Sequence, residues 1–161
     1  MIFINSNFSE KSAWISLIFT VVIAGYYANG IQQLEGAFAT HADQIVGLWA
    51  TTIVVSVIFI IIAMVLMLVL NKINGDDEEM TLIDERDEVI EAKATRWAYF
   101  NMCTCITVML VHIFCQAVIT HYPFFPNVAP LDFLIHGLMF SSLLVEFSLR
   151  ATQVYRYRQA V

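Results

Sequence analysis

Four long apolar stretches, separated by polar segments, set the pattern of the chain. The first runs from about Ser12 to Gly30, with no charged residue between Lys11 and Glu35. The second runs from about Ile45 to Leu70 and contains the uninterrupted series Ile53-Val54-Val55-Ser56-Val57-Ile58-Phe59-Ile60-Ile61-Ile62. The third runs from about Trp97 to Thr120, and the fourth from about Leu131 to Ala151, where Glu146 interrupts it. A helix needs about 20 apolar residues to cross the hydrocarbon core of a bilayer. β-Branched runs such as Ile60-Ile61-Ile62 also suit buried strands. Isolated strands, however, leave backbone groups unsatisfied in lipid, and barrel strands are short and alternating. The pattern predicts an all-α, four-helix transmembrane bundle. Trp14, Tyr26, Tyr27, Trp49, Trp97 and Tyr99 fall near predicted span ends, where amphipathic rings favour the headgroup zone.

Composition agrees with this reading. Of 161 residues, 59% are hydrophobic and 14% charged, with a mean hydropathy of +0.71. A soluble domain is nearer half apolar with about a quarter charged. A chain this small has no interior large enough to hide the excess, so residues 1–161 read as a single transmembrane domain with the bilayer as apolar solvent.

Charge adds orientation. The eight cations are Lys11, Lys72, Arg86, Lys93, Arg96, Arg150, Arg156 and Arg158. Threaded through four spans, all eight fall on one side; the segments 31–44 and 121–130 carry none. A three-helix reading would split them across the membrane. By the positive-inside rule both termini are expected in the cytoplasm. The net charge is −6, and no basic patch large enough to track a phosphate backbone appears, so nucleic acid is not an expected partner.

The segment 71–96 is the one sizeable polar stretch, an expected acidic cytoplasmic loop and juxtamembrane helix. Eight of the fourteen acids lie between Asp76 and Glu88. Asn74-Gly75-Asp76 marks a turn, and Thr81-Leu82-Ile83-Asp84 fits a capping box. A helix is therefore expected to begin near Leu82 and to run without Gly or Pro into the third span, extending that span into the cytoplasm. Acids at its start suit the positive end of the helix dipole, and Lys93 and Arg96 nearer the membrane suit anionic headgroups. The bland reading is a solvated helix; the functional one is a docking surface for a basic partner or a divalent cation. Asp76-Asp77-Glu78-Glu79 lacks the alternation and Gly of an EF-hand loop.

The element Asp84-Glu85-Arg86-Asp87-Glu88-Val89-Ile90-Glu91-Ala92-Lys93-Ala94, just before an apolar helix, resembles one found in a group of small prokaryotic four-helix membrane proteins. Those proteins place an Asp-Glu-Arg…Ile…Lys-Ala motif at the same juxtamembrane position. The resemblance implies the four-helix layout and marks Asp84, Glu85, Arg86, Glu88 and Lys93 as candidate partner-binding residues. It implies no activity, because the group has no assigned reaction.

Polar residues at membrane depth are costly and so are functional candidates. On the third span Asn101, Cys105, His112 and Cys115 share one helical face, with Gln116 beside it. On the fourth, Asp132, His136, Met139, Glu146 and Arg150 share another. The short connection makes these spans antiparallel neighbours, with His112 and His136 about 4–5 Å apart in height at 1.5 Å per residue. Asp132, one turn from His136, is placed to fix its tautomer. Three readings stay open. The histidines are buried contacts that specify packing; or they line a proton or metal-ion pathway, with Cys105, Cys115 and Met139 favouring a soft ion such as copper(I); or they ligate a haem. Glu146 and Arg150, four apart, fit a snorkelling ion pair. Three cysteines within one span do not form a disulfide framework, and Cys103 and Cys105 point apart on a helix.

No hydrolase or phosphate-loop signature occurs, so nothing argues for an enzyme, and no bound cofactor is expected. The expected function is that of a non-enzymatic, regulatory or structural membrane protein that meets a protein partner or a second copy through its acidic loop. The alternative is a small oligomeric transporter or channel for protons or metal ions; a haem-binding membrane cytochrome is a third.

Overall fold

The computed structural model describes residues 8–34, 42–74, 85–119 and 130–159; the side chains of 42–43, 71, 73–74 and 130–132 lie outside that description. The described residues form four helices: α1 (Phe8–Gln33), α2 (Ala42–Asn74), α3 (Glu85–Val118) and α4 (Pro130–Gln159). Each is long and apolar enough to cross a membrane. The expected capping box at Thr81 and the acids Asp76 to Glu79 lie outside the described residues.

The helices outrun the apolar stretches that mark them. α1 starts four residues before Ser12, α2 continues four past Leu70, and α4 continues eight past Ala151. α3, with 34 residues, is about 51 Å long at 1.5 Å per residue, well beyond a ~30 Å hydrocarbon core. The extra turns need no apolar sequence, because Glu, Lys, Arg and Gln are strong helix formers. Within the apolar lengths, hydroxyls bond back to the helix itself. Thr20 Oγ1 donates to the Ser16 carbonyl at 2.8 Å, Thr52 Oγ1 to Leu48 at 2.7 Å and Ser56 Oγ to Thr52 at 2.8 Å. Such bonds satisfy polar groups where lipid offers no partner.

α4 packs against both α3 and α1, and α1 packs in turn against α2. The third and fourth helices are thus neighbours, as their short connection predicts. The seam of α3 runs through Ile90, Ala94, Ala98, Met109 and His112, all buried and spaced for one helical face. Ala94 and Ala98 are small, which lets backbones approach. Further along, Gly137 does the same for α4: a Cβ there would lie 2.5 Å from Met109 Sδ.

α2 is held more lightly. Phe19 stacks on Phe59 with centroids 5.0 Å apart, and Ile45, Thr52 and Met67 are buried. Most of its remaining apolar side chains, including Val54, Ile60 and Met64, are exposed. A face of that kind suits lipid as solvent.

At the opposite extreme of polarity, the start of α1, the start of α3 and the end of α4 converge. Ala13, Ile90, Val154 and Tyr157 form a buried cluster, with Trp14 and Leu17 packed against it. Polar bonds surround it. Ser9 Oγ donates to Asp87 Oδ2 at 2.6 Å, Arg158 Nε pairs with Glu10 Oε1 at 3.0 Å, and the Arg158 guanidinium lies 5.9 Å from the Trp14 ring centre. Glu10 and Lys11 are both buried here, at 7% and 4% exposure.

Candidate functional site

The first turns of α3 carry the juxtamembrane motif, and the fold divides its residues between two jobs. Asp87 accepts the Ser9 bond, Arg86 donates from Nη2 to the Tyr157 carbonyl at 3.4 Å, and Ile90 and Ala94 are buried. The Tyr157 hydroxyl reaches both Ser9 and Asp87. These contacts clamp the helix to α1 and α4. Glu88 and Glu91 lie outside these contacts, Glu85 and Lys93 border a cleft towards α4, and all four are exposed. Of the five candidate partner-binding residues, Glu85, Glu88 and Lys93 therefore stand free of the clamp. Arg86 is exposed yet takes part in it, and Asp84 lies outside the described residues. Glu85, Asp87 and Glu88 fall in the first turn of α3, where carboxylates oppose the dipole of the unpaired N–H groups.

The two membrane histidines have different neighbours. His112, 5% exposed, lies against Phe133 of α4 with ring centres 3.9 Å apart. His136, 3% exposed, turns towards α1, where its Nδ1 and the Tyr27 hydroxyl share a hydrogen bond of 2.7 Å. With the hydroxyl donating, the ring proton sits on Nε2. Phe140 meets Tyr27 edge-on at 5.3 Å. The position that the sequence offered to Asp132, bonding the His136 ring, is met at Nδ1 by Tyr27; the Asp132 side chain lies outside the described residues.

Asn101, Cys105 and Cys115 are half-buried on α3, and the cysteines are free thiols. Among the described residues, no group of three His, Cys, Asp or Glu side chains is placed to hold a metal ion. Glu146 and Arg150 form the i,i+4 pair expected of them, with Nε 2.7 Å from Oε1, and Arg150 also bonds Gln153 at 3.2 Å. The pair borders a groove of about 740 Å³ between α1, α2 and α4. The groove is otherwise mostly apolar, with Phe19, Phe59 and Met67 in its wall.

Two features escaped the sequence reading. Tyr27 was grouped with Tyr26 as an interfacial ring, yet Tyr27 is fully buried while Tyr26 is 42% exposed. Adjacent helical residues point about 100° apart, so the two can meet different surroundings. The other is the burial of Glu10 and Lys11, just before the first apolar stretch.

The fold thus defines an all-helical protein whose four helices are each able to cross a membrane, with a clamped acidic helix start and a buried Tyr–His pair. No protein-family model, curated protein or solved structure matches the chain.

The Tyr27–His136 bond yields a quantitative expectation. Hydrogen bonds between membrane helices couple by about 0.6 kcal/mol, and at most about 1.7. A double-mutant cycle of Tyr27→Phe and His136→Phe, read by thermal unfolding in detergent, should return a coupling in that range. Additive effects of the two changes would show that the contact contributes nothing to holding α1 against α4.

Proposed function

We propose that the chain is a non-enzymatic integral protein of a prokaryotic plasma (inner) membrane, a four-helix bundle with both termini in the cytoplasm. In this reading α3 extends beyond the membrane, and residues 71–96 supply an acidic cytoplasmic loop and juxtamembrane helix. The role is regulatory or structural: the acids of α3 dock a basic segment of a partner protein or of a second copy. The observation that carries the reading is the division of the motif. Asp87, Ile90 and Ala94 are held by α1 and α4, while Glu85, Glu88 and Glu91 are left exposed on an anchored helix. Charges on a fixed support lose less entropy on binding than the same charges on a free loop.

A photo-crosslinking side chain at position 88 should capture a partner in native membranes, and raising salt should weaken the capture, because exposed charges are screened beyond about a Debye length. Glu85→Gln, Glu88→Gln and Glu91→Gln together should cut recovery on the order of tenfold, given about 0.2–1 kcal/mol for each exposed pair. Equal recovery from the triple variant would count against docking through these acids.

A second reading, a small oligomeric transporter or channel for protons or metal ions, draws on the Tyr27–His136 pair. A hydroxyl bonded to an imidazole at 2.7 Å can pass a proton. His112, Asn101, Cys105, Cys115, Asp132, Glu146 and Arg150 would belong to such a pathway. Proteoliposomes would then show proton flux that His136→Gln abolishes. Absence of flux from wild-type protein would leave the pair as a packing contact.

A further inference from the structure

A cleft of about 500 Å³ lies between the start of α3 and the end of α4, walled by Glu85, Arg86, Val89, Ile90, Lys93, Arg156 and Gln159. Its wall holds three cations, Arg86 and Lys93 of α3 and Arg156 of α4, and one carboxylate, Glu85. Arg156 is half-buried, and its Nε is fully buried with no hydrogen-bond partner among the described residues. An N–H buried to that degree is closed to a molecule in the cleft, so what Arg156 brings to it is the charge of its guanidinium. Val89 and Ile90 add an apolar wall. The cleft therefore offers net positive charge beside an apolar patch within one small volume.

Depth narrows the source of an anion that would match this charge. Lys93 precedes Trp97, the start of the third apolar stretch, by four residues, or about 6 Å at 1.5 Å per residue. Arg156 follows Ala151, the end of the fourth, by five residues, or about 8 Å. Headgroups occupy a layer of about 5–8 Å on each side of the hydrocarbon core. Trp97 is exposed at that border, as an interfacial ring should be. A phosphate lying between Lys93 and Arg156 would thus sit at the level of the lipid headgroups.

We propose that this cleft binds the phosphodiester of an anionic phospholipid, with Arg156 and Lys93 on the phosphate. Arg forms a planar fork suited to phosphate oxygens, and Lys supplies a point charge. Basic pockets between helices at the cytoplasmic face are suited to acidic headgroups. The proposal rests on the membrane reading given above, and it differs from the acidic docking surface in sign, the two sharing Glu85 at their border.

The test uses full-length protein, delipidated in neutral detergent and reconstituted in phosphatidylcholine nanodiscs, with binding of added phosphatidylglycerol followed by native mass spectrometry. Wild-type protein should retain phosphatidylglycerol in preference to phosphatidylcholine. Arg156→Gln should weaken that retention about fivefold, as should Lys93→Gln, an exposed site at which folding is not at stake. The Glu85, Glu88, Glu91 triple Gln variant should bind the lipid at least as well as wild type. If both cation variants keep the wild-type preference, the cleft is not the site. If inorganic phosphate displaces the lipid at equal concentration, the cleft takes a free anion and the lipid assignment is overturned. Protein that fails to enter phosphatidylcholine nanodiscs at all would instead sink the membrane reading beneath it.

Discussion

Where α1 begins, α3 begins and α4 ends, three helices are tied by bonds that an apolar surface cannot supply. In lipid, apolar helix faces gain little by meeting each other, because acyl chains are as apolar as leucine. Close packing and polar contacts must do the joining. The Ser9–Asp87 bond, the Glu10–Arg158 pair and the Arg86 contact to the Tyr157 carbonyl cross all three interfaces around Ala13, Ile90, Val154 and Tyr157. Breaking one partner of such a group strands a buried charge, as Glu10 and Lys11 illustrate by their low exposure. The same junction holds the start of α3 still, so that its outer acids and the Lys93–Arg156 cleft have a fixed geometry.

From that junction the order of attachment follows. α4 is the helix that two others share, and its contacts are spread along its length: Val154 and Tyr157 at one end, Met139 and His136 nearer the other. Gly137 admits Met109 from α3, and His136 reaches Tyr27 on α1. α2 touches α1 alone to any extent, leaving most of its surface to whatever surrounds it. Few buried contacts mean a low local cost of displacement. α2 is therefore the most lightly held wall of the groove between α1, α2 and α4 that the Glu146–Arg150 pair borders.

Much of this was legible in the sequence, for reasons that differ by residue. The four helices follow from run length, since no other element satisfies a backbone over 20 apolar residues in lipid. The Glu146–Arg150 pair follows from i,i+4 spacing, which needs no knowledge of the fold. The burial of His112 against α4 follows from antiparallel neighbours. Helix ends were not legible, because α1 and α4 continue through polar residues of good helical propensity. Nor was the choice between Tyr26 and Tyr27, which depends on where α4 lies rather than on local pattern. The motif from Asp84 to Ala94 could be seen as a unit; that Asp87, Ile90 and Ala94 serve packing while Glu85, Glu88 and Glu91 face outward required the position of α1.

The proposed account turns on four crossings that put the clamped, acidic end of α3 in the cytoplasm. Labelling single cysteines in a cysteine-free background with a membrane-impermeant maleimide reads this directly. With cysteine at Gln32, Glu88 and Gln159, intact cells should label at 32 alone, and sites 88 and 159 should react once the membrane is opened. Labelling of 88 or 159 in intact cells, with 32 protected, would contradict the orientation and with it the proposed role of the acidic helix.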